Sequence, residues 1–207
     1  MIKKLLLLGF GGHAKSVVDS IEASGEYTIV GFSERVLDKN ITYRGYEVIC
    51  TDEELEAMYK SGIEYAFITI GFMGNSTLRE KIMAQLKQIG YKIPIIVDPT
   101  AIVAQDVSVG AGSFIGKRAV LNAAVKVGEN AIINTGAILD HETEVGDNSH
   151  IACGSVLCGQ VKIGSSTLIG AGSTVIQNIT IEEECIIGAG STVLHDVVAK
   201  TKAYGVI

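Results

Sequence analysis

The sequence predicts two folded halves in succession, an α/β domain with a Rossmann-like parallel sheet over residues 1–98 and a parallel β-helix over residues 99–207. Three observations predict this. Strand-like and helix-like segments alternate through the first half, while a six-residue aliphatic period runs through the second. The composition pairs 24 glycines with 2 prolines and no tryptophan, which suits an ordered scaffold with many tight turns and not a linker-rich or disordered chain.

Residues 2–8 are a short apolar run that stops at glycines. It is too short for a signal-peptide core or a bilayer span and reads as a buried strand. Residues 14–23 follow with apolar side chains near helical spacing (Val17, Val18, Ile21), and YTIVGF reads as a second strand. DEELEAMYK over 52–60 predicts a helix opened by acids that suit its positive end. EYAFITIG is a third strand. STLREKIMAQLKQI over 76–89 is an amphipathic helix with Ser76 as its expected N-cap, and KIPIIV is a fourth strand. Such alternation points to a parallel sheet.

From Val109 the helical spacing disappears. Fifteen successive positions six apart are all Val, Ile or Leu: Val109, Ile115, Leu121, Val127, Ile133, Leu139, Val145, Ile151, Leu157, Ile163, Ile169, Val175, Ile181, Ile187 and Val193. Two residues before most of them stands a small or β-branched residue, such as Ser113, Ala119, Ala131 or Thr143. Directly after comes Gly, Asn or Asp in most repeats, read as the residue that takes positive φ or a tight turn. Strand side chains alternate faces, so the two patterned positions point inward together. Three six-residue faces close one coil, and coils stack about 4.8 Å apart. An evenly spaced β-sandwich is the competing reading, and the sustained register argues against it. The spacing from Ile102 to Val109 is seven, so one slip is expected beside a break near Asp98–Pro99.

Chemistry-bearing residues are few. Gly9-Phe10-Gly11-Gly12-His13-Ala14 fits G-x-G-x-x-G/A between a strand and a helix, where backbone N–H groups can meet a diphosphate. Gly71, after the third strand, can line the same crevice, and Ser33 and Glu34, after the second, sit where a ribose or base is read. The alternative is a glycine-rich turn that binds nothing. With a β-helix following, a nucleotide-sugar suits this half better than a dinucleotide. The net charge of −6 and the lack of a basic cluster argue against a nucleic-acid partner. No membrane partner is expected. Cys50, Cys153, Cys158 and Cys185 form no CxxC pair and read as free thiols of a reducing cytoplasm.

The histidines are His13, His141, His150 and His195. His141 follows inward Leu139 by two, so it faces outward near a corner, with Glu142 beside it pointing away unless the corner bends the chain. Acyl transfer needs a base for the acceptor proton, and a carboxylate can fix that base's tautomer. A solvated surface imidazole is the alternative for His141, and a corner residue for His150. A trimer-interface zinc site on three histidines is a further reading, but His195 lies about three coils from the other two. A non-catalytic trimeric ligand-binding scaffold is another.

The whole chain resembles the NeuD/PglD-type sugar O-/N-acetyltransferases. GFGGHAKSVVDSI resembles the family's G-x-x-G-H-x-K-V-V opening, ITIGFMGNSTLREKI its I-G-x-N-x-x-R segment, and NTGAILDHETEVGDNSHIACGSVLCGQVKIG its active-site stretch. The resemblance implies a left-handed β-helix and an acetyl-CoA-dependent transferase that acts by direct transfer. It implies His141 as general base, Glu142 as its orienting partner, His150 in the acceptor or coenzyme pocket, and Gly159 with its N–H on the thioester carbonyl. It implies no metal, a homotrimer, and a sugar nucleotide held near Gly9, Gly11, Gly12, His13 and Gly71, with a UDP-linked amino sugar expected and sialic acid the alternative acceptor. The family usually ends in a G-x-P-A-K tail that borders the coenzyme, and Gly205 in AYGVI is expected to begin that tail.

Overall fold

The computed structural model describes residues 3–38, 40, 42–72, 74 and 76–207. Met73 and Asn75 of the ITIGFMGNSTLREKI motif, and Ile2 of the first apolar run, lie outside the described residues.

The first half is a five-stranded sheet. Strand β1 (Lys4–Leu8) leads through Gly11 into helix α1 (Gly12–Ser24), and β2 (Thr28–Glu34) returns parallel to it. A short hairpin follows, β3 (Thr42–Tyr43) and β4 (Tyr46–Thr51), where the sequence suggests no element. Then come a 3-10 turn (Asp52–Glu54), helix α2 (Leu55–Lys60), β5 (Tyr65–Ile68) and helix α3 (Thr77–Ile89). The order is β3-β4-β2-β1-β5, with only β3 antiparallel. Leu5, Leu6, Leu7 and Leu8 are all fully buried because helices cover both faces of the central strand. Ser76 takes the N-cap position of α3, but its hydroxyl bonds to Glu80 and to Ser166 in the second half instead of capping the helix. The expected fourth strand is divided. Lys92 makes one isolated bridge to Tyr65, and Ile96–Val97 pairs with Phe114–Ile115 as the first strand of the β-helix.

The second half is a left-handed parallel β-helix of three faces with six, five and seven strands. The first face runs from Ile102–Val103 to Thr192–Val193, the second from Ser108–Val109 to Thr180–Ile181, and the third from Ile96–Val97 to Lys202–Ala203. The period does not slip at its start: Val103, and not Ile102, pairs with inward Leu121, exactly one hexad before Val109. From Ile115 onward the aliphatic column is buried together with the small residues two before it, among them Ser113, Ala119, Ala131, Thr143 and Ser149.

The corner differs from the expectation. From Val109 to Ile187, positive φ falls three residues past each aliphatic, at Arg118, Asn130, Glu142, Gln160 and their equivalents, not at the glycine directly after it. That glycine is needed for closeness. A Cβ on Gly110 would lie 2.5 Å from the Glu129 nitrogen of the next coil, and one on Gly164 2.4 Å from that of Glu183. At these corners the backbone of the next coil leaves no room for a side chain, whereas Asn122, Asp140 and Cys158 carry one at the same hexad position on the corner between the first and second faces.

The third face docks the two halves. Its outward residues Phe114, Ile132 and Leu168 are buried with Ala14, Val17, Ile21 and Phe72 of the first half. The first face leaves Ile102 and Ile138 exposed, and the second carries Lys126, Glu144 and Lys162 outward. The corner between the first and second faces therefore stays open, opposite the junction.

Two polar clamps cross the junction. Arg79 of α3, 2 % exposed, donates to the carbonyls of Ile70 and Asn130 and, at 2.7 Å, to Asn130 Oδ1. Burial brings its guanidinium down to about 10, which leaves it charged at neutral pH. Asp98, 1 % exposed, accepts from Ser20 Oγ at 2.6 Å, Thr100 Oγ1 at 2.6 Å and Lys117 Nζ at 2.9 Å. Burial alone would raise the Asp98 carboxyl, but these donors outweigh it and hold the group well below the usual carboxylate range. A folded-state value below the unfolded one gives stability that is present above about pH 4 and lost as pH falls toward the folded value. Asp98→Asn is expected to lower stability by about 2 kcal/mol at pH 7 and to flatten the acid-side decline. Thermal unfolding at pH 7 and pH 3.5 checks this: equal midpoint losses at both pH values would contradict it.

Candidate active site

His141 and Glu142 stand on the open corner, after the first-face strand Ile138–Leu139 and before the second-face strand Glu144–Val145. The corner does bend the chain. Glu142 takes φ 59, and its Oε2 comes to 3.2 Å from His141 Nδ1. If Nδ1–H donates to that carboxylate, the Nε2 lone pair is free toward solvent, the arrangement a general base needs. The His141 side chain is 53 % exposed, so an acceptor can reach it. Asp140 steadies the loop: its Oδ1 accepts the His141 backbone N–H at 2.8 Å and Asn122 Nδ2 at 2.8 Å. These contacts hold the Asp140 carboxyl below its usual value.

Gly159 lies one coil on from His141, with the imidazole against its Cα. A Cβ there would come within 2.4 Å of Nε2 and 2.5 Å of Cε1. Its backbone N–H has no acceptor among the described residues. At equivalent corners the N–H is capped by the side chain before it, Ala123 by Asn122 and His141 by Asp140. Cys158 precedes Gly159 and supplies no carboxylate or amide oxygen, so this N–H stays available to a carbonyl oxygen beside Nε2.

His150 is elsewhere. It projects from the third face into the junction, 8 % exposed, with Nδ1 at 2.9 Å from the Phe72 carbonyl and Nε2 at 3.1 Å from Asn134 Nδ2. Within one protomer it does not meet Gly159 or His141. Burial and the Arg79 charge lower its value, outweighing the Phe72 bond. His13 packs edge-on to Phe114, its Nε2 is buried without a partner, and burial aided by Arg79 and His150 brings it down to about 3. Both rings are therefore neutral at pH 7. His195 is not drawn into either group. Among the described residues no three His, Cys, Asp or Glu side chains converge as a metal group.

At the carboxyl ends of β1, β2 and β5 a cleft of about 400 Å³ opens. Gly9, Gly11, Ser33, Glu34 and Gly71 line it, joined by Phe10, Arg35, Asp52, Ile70 and Leu78, which the sequence reading does not single out. Gly12, exposed, opens α1 beside it, whereas the His13 ring turns into the junction. Gly9 has φ 101, and a Cβ on it would meet Ile70 Cγ1 at 2.4 Å. Glu34 accepts the Phe10 N–H, and Ser33 Oγ donates to Asp52 Oδ1 at 2.6 Å, so two carboxylates lie where ribose hydroxyls or base N–H groups would arrive. Asp52 is hidden in the sequence because it opens the acidic run read as a helix start.

Residues 4–86 match the PglD N-terminal domain model, residues 106–141 the hexapeptide repeat of succinyl-transferase, and residues 160–195 the bacterial transferase hexapeptide of six repeats. No match is found among curated protein sequences. Among solved structures, PerB from Caulobacter crescentus in complex with CoA and GDP-perosamine is 32 % identical, with a TM-score of 0.90 over 99 % of this chain and 95 % of that one. A histidine-to-asparagine variant of perosamine N-acetyltransferase from the same organism, also with CoA and GDP-perosamine, is 31 % identical with a TM-score of 0.92 over the same shares. The acetyltransferase domain of PglB from Neisseria gonorrhoeae, in complex with acetyl coenzyme A, is 28 % identical with a TM-score of 0.91, covering 99 % and 97 %.

Proposed function

Because the chain belongs to the NeuD/PglD family of sugar acetyltransferases, we propose that it moves the acetyl group of acetyl-CoA onto the amino group of a nucleotide-linked sugar. The observation that carries this is the open corner, where a carboxylate-held imidazole packs against the Cα of Gly159 on the next coil, a residue whose N–H has no acceptor among the described residues. The neutral amine attacks the thioester carbonyl, His141 Nε2 takes the amine proton, and the Gly159 N–H meets the developing oxyanion. Collapse forms the amide and releases CoA, whose thiolate receives the proton from His141. No acyl-enzyme is needed.

The cleft at Gly9, Gly11 and Gly71 suits a nucleoside diphosphate, with the α1 N-terminus beside its phosphates. Glu34 and Asp52 accept hydrogen bonds and so favour ribose hydroxyls and base N–H groups over a phosphate. Acetyl-CoA chemistry and four free cysteines fit a cytoplasmic enzyme. No helix among the described residues is long and apolar enough to cross a membrane.

The first half, which holds the cleft, docks on the third face, and His141 stands on the corner between the other two faces, an arrangement that favours a site completed by a second copy. Ile102, Val120, Ile138 and Val156 stack as an apolar column on the first face, and this column supports a homotrimer that sets one protomer's corner against its neighbour. Ile138→Glu is expected to give a folded monomer without turnover. Light scattering of both proteins checks this, and a trimeric variant would refute that interface.

A thiol-release assay with acetyl-CoA against GDP-perosamine, UDP-linked amino sugars and sialic acid tests the acceptor class. Turnover confined to amino sugar nucleotides is expected. Turnover of sialic acid alone would overturn the proposal.

A further inference from the structure

We infer that Gln160 is a positioning residue for the acyl-transfer base, fixing from the next coil the Glu142 carboxylate that fixes the His141 imidazole. This rests on the reading of His141 as base. Gln160 Nε2 donates to Glu142 Oε2 at 3.0 Å, the oxygen that stands 3.2 Å from His141 Nδ1. The Gln160 backbone N–H also donates to the His141 carbonyl at 2.9 Å. One residue thus holds both members of the pair, through main chain and side chain.

The fold makes this possible by repetition. Glu142 and Gln160 occupy the same left-handed corner position one coil apart, with φ of 59 and 63, so their side chains stack along the helix axis. The preceding coil has Ala124 there, with no polar side-chain atom, so among the described residues the stacked support for the Glu142 carboxylate comes from the Gln160 side alone. An exposed glutamate has several rotamers, and a second donor on its oxygen selects the one that faces the imidazole.

The amide also suits the electrostatics. A glutamine donates without carrying charge, so the carboxylate keeps its full negative charge beside Nδ1. The other charged groups around the pair are Asp140, with Oδ2 at 3.9 Å from His141 Nε2, and Glu144 and Lys162, which share a groove with Glu142 and Gln160. The neighbouring cations are engaged with Glu144: Lys126 Nζ lies 2.9 Å from it, and Lys162 attracts it. A lysine at 160 would add a positive charge directly on the Glu142 carboxylate.

Two substitutions separate position from charge. Gln160→Met keeps the length and removes the donor. Gln160→Lys keeps a donor and adds charge. Side-chain ¹⁵N spectra read the tautomer directly, because the chain has only 4 histidines and the His141 signals are those missing in His141→Ala. The unmodified protein is expected to show the Nδ1–H form. Gln160→Met should show a mixture of tautomers and a kcat about tenfold lower, with KM for acetyl-CoA unchanged. Gln160→Lys should recover the Nδ1–H form while the acidic limb of its kcat profile moves down by about half a pH unit. Turnover is followed with the acceptor that responds most strongly in the panel above. A Gln160→Met protein with the original tautomer and kcat would overturn the inference even if His141→Ala is inactive. An active His141→Ala protein would instead overturn the base assignment on which it rests.

Discussion

Replacing His141 by alanine is expected to lower kcat by about two to four decades, the usual size of a general-base contribution, with KM for acetyl-CoA and the unfolding midpoint little changed. The structure allows such a separation. The side chain is 53 % exposed and belongs to none of the three apolar clusters, so its removal opens no cavity in the core. Its partners stay in place without it, because Asp140 holds the main-chain N–H and Gln160 holds Glu142. The N–H of Gly159 also survives, which leaves carbonyl polarisation and explains why some turnover should persist. Glu142→Gln is expected to fall between this variant and the unmodified protein, since an amide can still meet Nδ1 but brings no negative charge to the imidazolium. Steady-state kinetics at saturating acetyl-CoA read both. Near-normal turnover in His141→Ala would remove the imidazole from the chemistry altogether.

The period of the second half was legible because its physics is local. Each inward aliphatic and the small residue two before it answer to a strand alternation that any hexad shows, and from Ile115 to Val193 every one of them is buried. Corner geometry was less legible. The sequence offers Gly directly after the aliphatic in seven of the fifteen repeats, and nothing in one repeat says whether that glycine supplies φ or closeness. Only the stacked coil, with Glu129 N and Glu183 N pressed against Gly110 and Gly164, decides for closeness. The same limit applies to the site. His141 and Glu142 are adjacent in sequence and could be paired as soon as the corner was allowed to bend. Gln160 and the free N–H of Gly159 come from eighteen residues on, and their relation to His141 exists only after the coil closes. In the first half, the sheet and its crevice followed from alternation and glycines, whereas Asp52, the hairpin at 42–51 and the inward turn of His13 depend on contacts between distant segments. The placement of His150 is likewise a consequence of which face docks the first half: on another face the same residue would be solvated.

Gly159→Ala is the second large effect, and it separates shape from chemistry. The φ at Gly159 lies outside the left-handed range, so alanine can adopt the backbone without strain. What it cannot do is share space with the imidazole, since the new Cβ would sit 2.4 Å from Nε2 and 2.5 Å from Cε1 of His141. The obstacle is the end of an exposed side chain, so the ring will swing away rather than the coil distort. Nε2 then leaves its place beside Gly159, and the base and the N–H assigned to one tetrahedral centre are drawn apart. A misplacement of this size in a positioned base is expected to lower kcat by about two decades or more. The thermal midpoint should stay close to that of the unmodified protein, and the His141 signals in the ¹⁵N spectrum should shift while those of His13, His150 and His195 remain. Combining Gly159→Ala with His141→Ala sharpens the test. If the alanine acts by displacing the imidazole, it should add little once the imidazole is gone, so the double variant should match His141→Ala to within a few-fold. A further loss of two decades in the double variant would show that residue 159 matters through its own contact with the acetyl donor, and not through the ring packed against it.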